Sequence, residues 1–600
     1  MASKGYSVRN LQFVLYELLD VISLTEEGYF SNHSRENFDI MLDVAEDIAE
    51  KYLRPFLKEG DRNPPQVVSG RVKVHPSLHK YYNAFSSAGL LASTFDEKLG
   101  GSQVPKTVYS ATDFIVGNAH NGYEMFTSLS VGAARLIVSF GSDELISTYA
   151  TRILSGKWTA TMCLTEPQAG SALSAITTSA THQPDGSYKV KGQKVFISAG
   201  DHDITENIVH LVLARIKGYP EGTKGISLFA VPVKRLKNEN ELLHNDVTSV
   251  SVYHKMGQRS TPAMQLEFGG QDDCVGYLVG EPGKGLTYMF QMMNTARLGI
   301  GLAGSYIASS AYYTSLNYAT ERYQGRNKRS SQDAMGQTQI INHPDVRRML
   351  LLQKAITEGC LALVMQCYYY EDLLKVCTAS ERVKYSDLLE LLTPVAKTYG
   401  AEMGMVSVSN GLQVLGGYGY TEDFALEQLL RDVRIMSIYE GTTGIQSQAL
   451  LGRQIPANNN RSFDLWIEEV SKVIKRASES EELSPYGTWL TAEISELQRT
   501  TQHLLDIHTK GLDEIFLSDA NLFMELFGIV CVAWQWLNQG VVANRSIKEA
   551  ISPADRIFYL SKLETMRFFF HYELRKTKGL HERLRDNTVL TVRMDEEILV

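Results

Sequence analysis

Residues 187–200 read SYKVKGQKVFISAG. Tyr188 and Val190, then Val195 and Ile197, stand two apart, the period of a pleated strand with one buried face. The same period recurs in TATMCLT (159–165), NIVHLVLARI (207–216), GISLFAVPV (225–233), TSVSVYHKM (248–256) and AMQLEFGG (263–270). Turns of Gly, Pro, Asp and Asn separate these runs, Pro184-Asp185-Gly186 among them, so an antiparallel β-domain is expected here. On either side the period changes to 3.6. Upstream, FDIMLDVAEDIAEKYLRPFL (38–57) and EMFTSLSVGAARLIVSFGSDELISTYATRIL (124–154) carry apolar stripes that need helical partners. Downstream, the helical period holds over 286–323, from His343 through Cys377, and from Ser386 to Leu415.

After a polar joint at IPANNNRSF (455–463), long stripes continue to Val600. The expected protein is mainly α with a central antiparallel β-domain. A helical domain covers 1–157, the β-domain 158–275, a helical bundle 276–455 and an additional helical extension 456–600.

Composition narrows the function classes. With 600 residues, 44% apolar, and 59 Lys+Arg against 68 Asp+Glu, the chain is an ordinary globular one of net charge -9. That balance disfavours general attraction to nucleic acid or anionic membranes. The six cysteines show no CxxC spacing, which removes a zinc or disulfide scaffold. Glu17 and Asp20 interrupt the start before an apolar signal core forms, so a cytoplasmic protein is expected. The uncharged stretch Leu526–Asn544 contains Gln535, Asn538 and Gln539 and reads as a buried helix rather than a membrane span.

Two glycine strings are decoys. GIGLAG (299–304) satisfies G-x-G-x-x-G, yet helical sequence flanks it on both sides, whereas a dinucleotide fingerprint follows a strand; close helix packing is the expectation. GEPGKG (280–285) lacks the Walker spacing, and no HExxH or GxSxG is present.

Four other strings carry chemistry. MCLTEPQAGSALSAI (162–176) leaves a strand into a hydroxyl-rich turn suited to a polar heterocycle or phosphate. KGQKVFISAG (191–200) sets Phe196 and Ser198 two apart, hence on one face, so that a ring and a hydroxyl can meet a flat cofactor. LQVLGGYGYTED (412–423) is the third. In the fourth, RDVRIMSIYEGTTGIQ (431–446), Glu440 follows apolar Ile438 and Tyr439 and precedes Gly441, which permits close approach of a ligand.

In this order, and with Lys255-Met256-Gly257-Gln258-Arg259 between them, the strings resemble the acyl-CoA dehydrogenase family of flavoproteins. The matching motifs are Thr165-Glu166-Pro167 with Ala169-Gly170-Ser171, Lys194 to Ser198, Gly416 to Tyr420, and Ile438-Tyr439-Glu440-Gly441-Thr442. The resemblance implies an FAD, held by Met162, Leu164, Thr165, Ser171, Phe196 and Ser198, with Thr442 and Gln446 contributing. It implies Glu440 as the base that removes the α-proton of an acyl-CoA thioester while a hydride leaves the β-carbon for flavin N5, giving the trans-2-enoyl-CoA. Ala296 occupies the rival base position of some relatives and cannot take a proton. Ser171, Asn294, Arg297 and Gly441 match substrate-side positions, Asn294 standing where the family often has Asp.

The family's dimer would direct Arg322, Gln324, Gln413 and Gly417 to the FAD of a neighbouring subunit, although Glu321-Arg322-Tyr323-Gln324-Gly325 lacks the usual Phe and a polar insertion follows at 327–339. A homodimer or dimer of dimers is therefore implied, acting in fatty acid β-oxidation with an electron-transfer flavoprotein as acceptor. The long C-terminal extension resembles a large bacterial branch that includes enzymes for 3-methylthiopropionyl-CoA and for fatty acyl-CoAs. Two alternatives stay open: a flavin oxidase on the same scaffold, and a DNA-binding flavoprotein with structural FAD, for which the basic, aromatic segment 567–586 would be the contact.

Overall fold

The computed structural model describes residues 4–26, 28–238, 241–327, 335–550 and 552–600; residues 328–334 of the polar insertion lie outside them. The chain packs as two compact units, one of residues 32–296 and one of residues 297–600 with the first 31.

The first unit opens with helices α1 (Arg35–Ile48), α2 (Pro76–Ser87), α3 (Lys106–Ala119) and α4 (Asn121–Phe140). Ser34 starts α1 by accepting from the Asn37 N–H while the Asn37 side chain accepts from the Ser34 N–H, a reciprocal cap. α3 is buried from Thr107 to Ala119 except at Asp113, with Thr107, Ser110, Thr112 and Asn118 enclosed alongside its apolar residues. A small hairpin, β1 (Gln66–Val68) and β2 (Arg71–Lys73), interrupts these helices, where the sequence suggested helix after helix. Its signal was Ser69-Gly70, both left-handed at φ 52° and 77°, the conformation a two-residue hairpin turn demands.

The sheet is built from β3 (Thr159–Cys163), β4 (Ser179–His182), β5 (Tyr188–Ser198), β6 (Ile208–Ile216) and β7 (Ile226–Pro232), a separate hairpin of β8 (Lys234–Asn238) and β9 (Glu241–His244), then β10 (Val247–Val252), β11 (Ala263–Phe268) and β12 (Val275–Leu278). The main order is β10-β11-β5-β12-β7-β6-β3, with β4 beside β5 and β6. The expected antiparallel pairing holds except that β3 and β4 both run parallel to β6; a crossover returns the chain beside β6 in the same sense. β7 is buried along its whole length, which explains an unbroken apolar run in place of alternation. The β8–β9 hairpin escaped the sequence reading because its residues are half-exposed or exposed, leaving no hydrophobic period.

The second unit begins within α5 (Gly285–Glu321) and continues through α6 (Pro344–Val376) and α7 (Ala379–Leu415). The GIGLAG string has the role expected of small residues: a Cβ on Gly301 would lie 2.6 Å from the Ala396 oxygen, and one on Gly304 2.0 Å from the Gly400 oxygen. After α8 (Thr443–Ala449) the joint takes three consecutive left-handed residues, Asn458, Asn459 and Asn460, at φ 49°, 57° and 65°. Asparagine tolerates that region better than any other residue except glycine. The extension follows as α9 (Arg461–Ser478), α10 (Ser484–Thr509), α11 (Ala520–Glu549) and α12 (Pro553–Phe568).

Among the described residues two helices, α6 and α11, are long and apolar enough to cross a membrane, yet 89% and 83% of their most apolar windows are buried inside the protein. α11 is the helix expected over 526–544.

The N-terminal segment packs on the extension. Arg9 bonds Asp555 at 3.0 Å and the Tyr559 hydroxyl at 2.8 Å. Lys562, with no exposed surface, donates to Glu358 and Gln539, each at 2.8 Å, and to Asn10. In the basic segment, Arg583 pairs with Asp519 and Arg585 with Glu496; Arg567 pairs with Glu482, and Arg575 lies over Trp489.

Candidate active site

In the first unit, the loop after β3 is fastened to β5 by a buried ion pair. Lys194 Nζ stands 2.8 Å from Glu166 Oε1, both side chains almost wholly buried, and also donates to the Leu164 carbonyl at 3.0 Å. Glu166 is saturated with donors, accepting from the Thr177 N–H and hydroxyl and the Thr178 N–H. Burial acts against its charge, but Lys194 and these hydrogen bonds prevail and draw its pKa down to about 2. The Val195 N–H then takes the Thr165 carbonyl at 2.9 Å.

This clamp brings Met162, Leu164, Thr165, Phe196 and Ser198 together at the ends of β3 and β5, with Ser171 in the loop that the clamp holds. Phe196 adopts φ 59°, and Val195 and Phe196 together oppose Gln265 of β11. A β-bulge of this kind turns a side chain outward. The Phe196 ring is 63% exposed, backed on one side by Tyr253 with centroids 4.6 Å apart. Ser198 is half-exposed and Ser171 exposed. An exposed aromatic face beside hydroxyls suits a flat polar heterocycle. Gly170 is exposed, and a Cβ there would meet nothing within 4 Å, so that side of the loop is open to a ligand.

In the second unit, Glu440 and Gly441 are both left-handed, at φ 53° and 89°. For a glutamate this costs about 1–3 kcal/mol and persists only where the surroundings hold it. They do. Arg297 Nε donates to the Glu440 carbonyl at 3.4 Å, Gln446 Nε2 to the same oxygen at 3.0 Å, and Lys397 Nζ to the Gly441 carbonyl at 2.9 Å. Arg297, Gln446 and Lys397 are buried. The Thr442 hydroxyl caps α8 by accepting from the Ile445 N–H. The Glu440 carboxyl is raised by burial, against the downward pull of Arg297 and Lys397. Desolvation likewise lowers the Arg297 guanidinium.

A separate cavity of 670 Å³ in the second unit is lined by Arg322, Gln324, His343, Gly416, Gly417 and Tyr418, among others. The Arg322 guanidinium is exposed and donates to Gln324 at 3.3 Å. Gly416 and Gly417 face open space, and Gln413 is exposed one turn earlier on α7. A guanidinium beside bare backbone suits a phosphate group.

The predicted residues thus form three groups. The heterocycle rim lies in the first unit; the Glu440, Gly441, Thr442, Gln446 and Arg297 cluster and the Arg322 cavity lie in the second. Asn294 is half-buried in α5, in the last residues of the first unit. Sequence reasoning missed Lys194 and Glu166 as a clamp, Tyr253 as the backing ring, and Lys397. The first two were legible as charges inside motifs that otherwise bury apolar groups; Lys397 stands in no motif.

Three family descriptions match the chain: "Acyl-CoA dehydrogenase, middle domain" over 161–270, "Acyl-CoA dehydrogenase, C-terminal domain" over 283–454, and "Acetyl-CoA dehydrogenase C-terminal like" over 466–595. The 3-methylmercaptopropionyl-CoA dehydrogenase of Ruegeria pomeroyi is 35% identical over 571 residues, covering 91% of this chain and 93% of that one. A butyryl-CoA dehydrogenase of Syntrophomonas wolfei is 31% identical, covering 99% of each. The crystal structure of Caenorhabditis elegans ACDH-11 in complex with C11-CoA shares the fold at a TM-score of 0.71 and 20% identity, over 97% of this chain and 94% of that one. The helices, sheet, bundle and extension are those of a large flavin-dependent oxidoreductase. The chain belongs to the acyl-CoA dehydrogenase family, whose members use FAD to dehydrogenate acyl-CoA thioesters.

Proposed function

We propose that the chain converts a saturated acyl-CoA to the trans-2-enoyl-CoA, with Glu440 removing the α-proton. The observation that carries this reading is the Glu440 turn: a carboxyl raised by burial, on a left-handed residue whose carbonyl two buried side chains hold. A raised carboxylate pKa makes a better base near neutral pH. The Glu440 N–H, on the same strained residue, donates to the thioester oxygen as negative charge develops there. Arg297 holds the Glu440 carbonyl from α5, and the substrate contacts of this reading are Ser171, Asn294 and Gly441.

FAD, when bound, would supply the acceptor for the hydride that leaves the β-carbon, with an electron-transfer flavoprotein as the onward acceptor. Met162, Leu164, Thr165, Ser171, Phe196 and Ser198 would hold it, with Thr442 and Gln446. In a homodimer or dimer of dimers, the Arg322, Gln324, Gln413 and Gly417 surface would take the pyrophosphate of the neighbouring subunit's FAD. The relatives' named substrates, 3-methylmercaptopropionyl and butyryl thioesters, make a short acyl chain the first to test.

The test is an anaerobic titration of the holoenzyme with a series of acyl-CoA thioesters, read in the visible flavin band. Bleaching by one thioester class, with Glu440→Gln slower by about 10²–10⁴-fold, is expected. A Glu440→Gln enzyme that bleaches at the native rate overturns the assignment of the base.

A further inference from the structure

Lys397 has no part in the reading above. It lies in α7, three residues beyond the internal Pro394, with no exposed surface, and its Nζ donates to the Gly441 carbonyl at 2.9 Å. Keeping an ammonium out of water is costly, but its charge-assisted hydrogen bond to a carbonyl is about twice as strong as a neutral donor's. The charge is placed behind the two consecutive left-handed residues that present the base.

We propose that Lys397 is a positioning residue for Glu440: by bonding the Gly441 carbonyl it fixes the left-handed turn, and by its charge it keeps the carboxyl in the form that accepts a proton. This rests on the reading of Glu440 as the base. The neighbouring charges are few. Arg297 reaches the Glu440 carbonyl from α5, Arg453 acts on Arg297, and Glu402, five residues along α7 from Lys397, supports its charge. Glu402 also accepts from the Thr443 hydroxyl, which ties it to the first turn of α8.

The pH dependence follows. Glu440 acts deprotonated, so activity rises with pH through its raised pKa. Lys397 acts protonated, and burial has lowered it to about 8, so its contribution fades as pH rises through that value. Removing the lysine charge takes away one of the two cations that hold Glu440 down, and the acid limb moves to higher pH.

The decisive experiment compares wild-type and Lys397→Met holoenzymes by amide hydrogen exchange over residues 437–446 and by the pH profile of kcat. In the variant, faster exchange in that loop, an acid limb at higher pH and loss of the basic limb near 8 are expected. With them should come a fall in kcat of about ten- to a hundredfold, at a KM changed by less than about threefold. Lys397→Arg should recover the acid limb. A folded Lys397→Met enzyme with native loop exchange and both limbs in place overturns the proposal. If Lys397→Met does not fold, Glu402→Gln should move the basic limb to lower pH, and an unmoved limb overturns it equally. The base itself is tested separately: a Glu440→Gln enzyme that still reduces flavin removes the base, while loop exchange still reports whether Lys397 anchors the turn.

Discussion

At the residue scale, the buried Lys194–Glu166 pair fastens the loop after β3, and its removal should be felt twice. Glu166→Gln leaves an uncompensated ammonium in a dry site, a loss of about 3–5 kcal/mol. It also frees the loop from Leu164 to Thr178, so purified protein should melt at lower temperature and carry less flavin, both measurable on one sample. The pair also sets an acid limit. Because Glu166 falls from its usual 4.5 to about 2 on folding, its stabilisation is complete above 4.5 and is lost as pH falls toward 2. Thermal unfolding of wild type should therefore steepen its pH dependence across that window, and Glu166→Gln should lack that component. Glu440, Thr165 and Phe196 were legible because motifs carried them. Lys397 was not, since a lysine in a long helix looks the same in sequence whether it faces water or a buried carbonyl.

At the scale of elements, the close passage of α5 over α7 depends on glycine. Gly304→Ala would set a methyl 2.0 Å from the Gly400 backbone oxygen, a contact no side-chain rotation relieves. The helices must part, at a cost of about 1–3 kcal/mol or more, which a denaturant titration would read as a lower midpoint. Gly299→Ala, with nothing within 4 Å, should leave it unchanged or raise it slightly. The long helices and the apolar strands were readable because burial on one face, or on all faces, writes itself as a period. The β1–β2 and β8–β9 hairpins were not, being short and without a sustained buried face. The parallel placement of β3 and β4 beside β6 was hidden because strand period fixes faces and says nothing of direction.

At the scale of the molecule, the start of the chain and the extension, two separate features in the sequence, are one assembly in the structure. Asn10 and Arg9 supply partners to Lys562, Asp555 and Tyr559, and the Phe13 ring meets Phe558 at 5.5 Å. Deleting residues 1–20 should leave Lys562 with fewer acceptors. Limited proteolysis should then cut α12 sooner than in the full chain, with the sheet-bearing unit of 32–296 cleaved at its usual rate. No period or motif pointed to this union, because it joins positions some 550 residues apart.

That union has a consequence for how the protein is made. A ribosome delivers the first 31 residues before any part of 297–600 exists, and at ordinary elongation rates the wait lasts on the order of tens of seconds. Residues 32–296 emerge in between and hold their own internal contacts. The opening segment must therefore stay out of that earlier folding and find helices made some five hundred residues later, so Leu11, Phe13, Val14 and Leu15, all buried in the finished protein, stay uncovered through the interval.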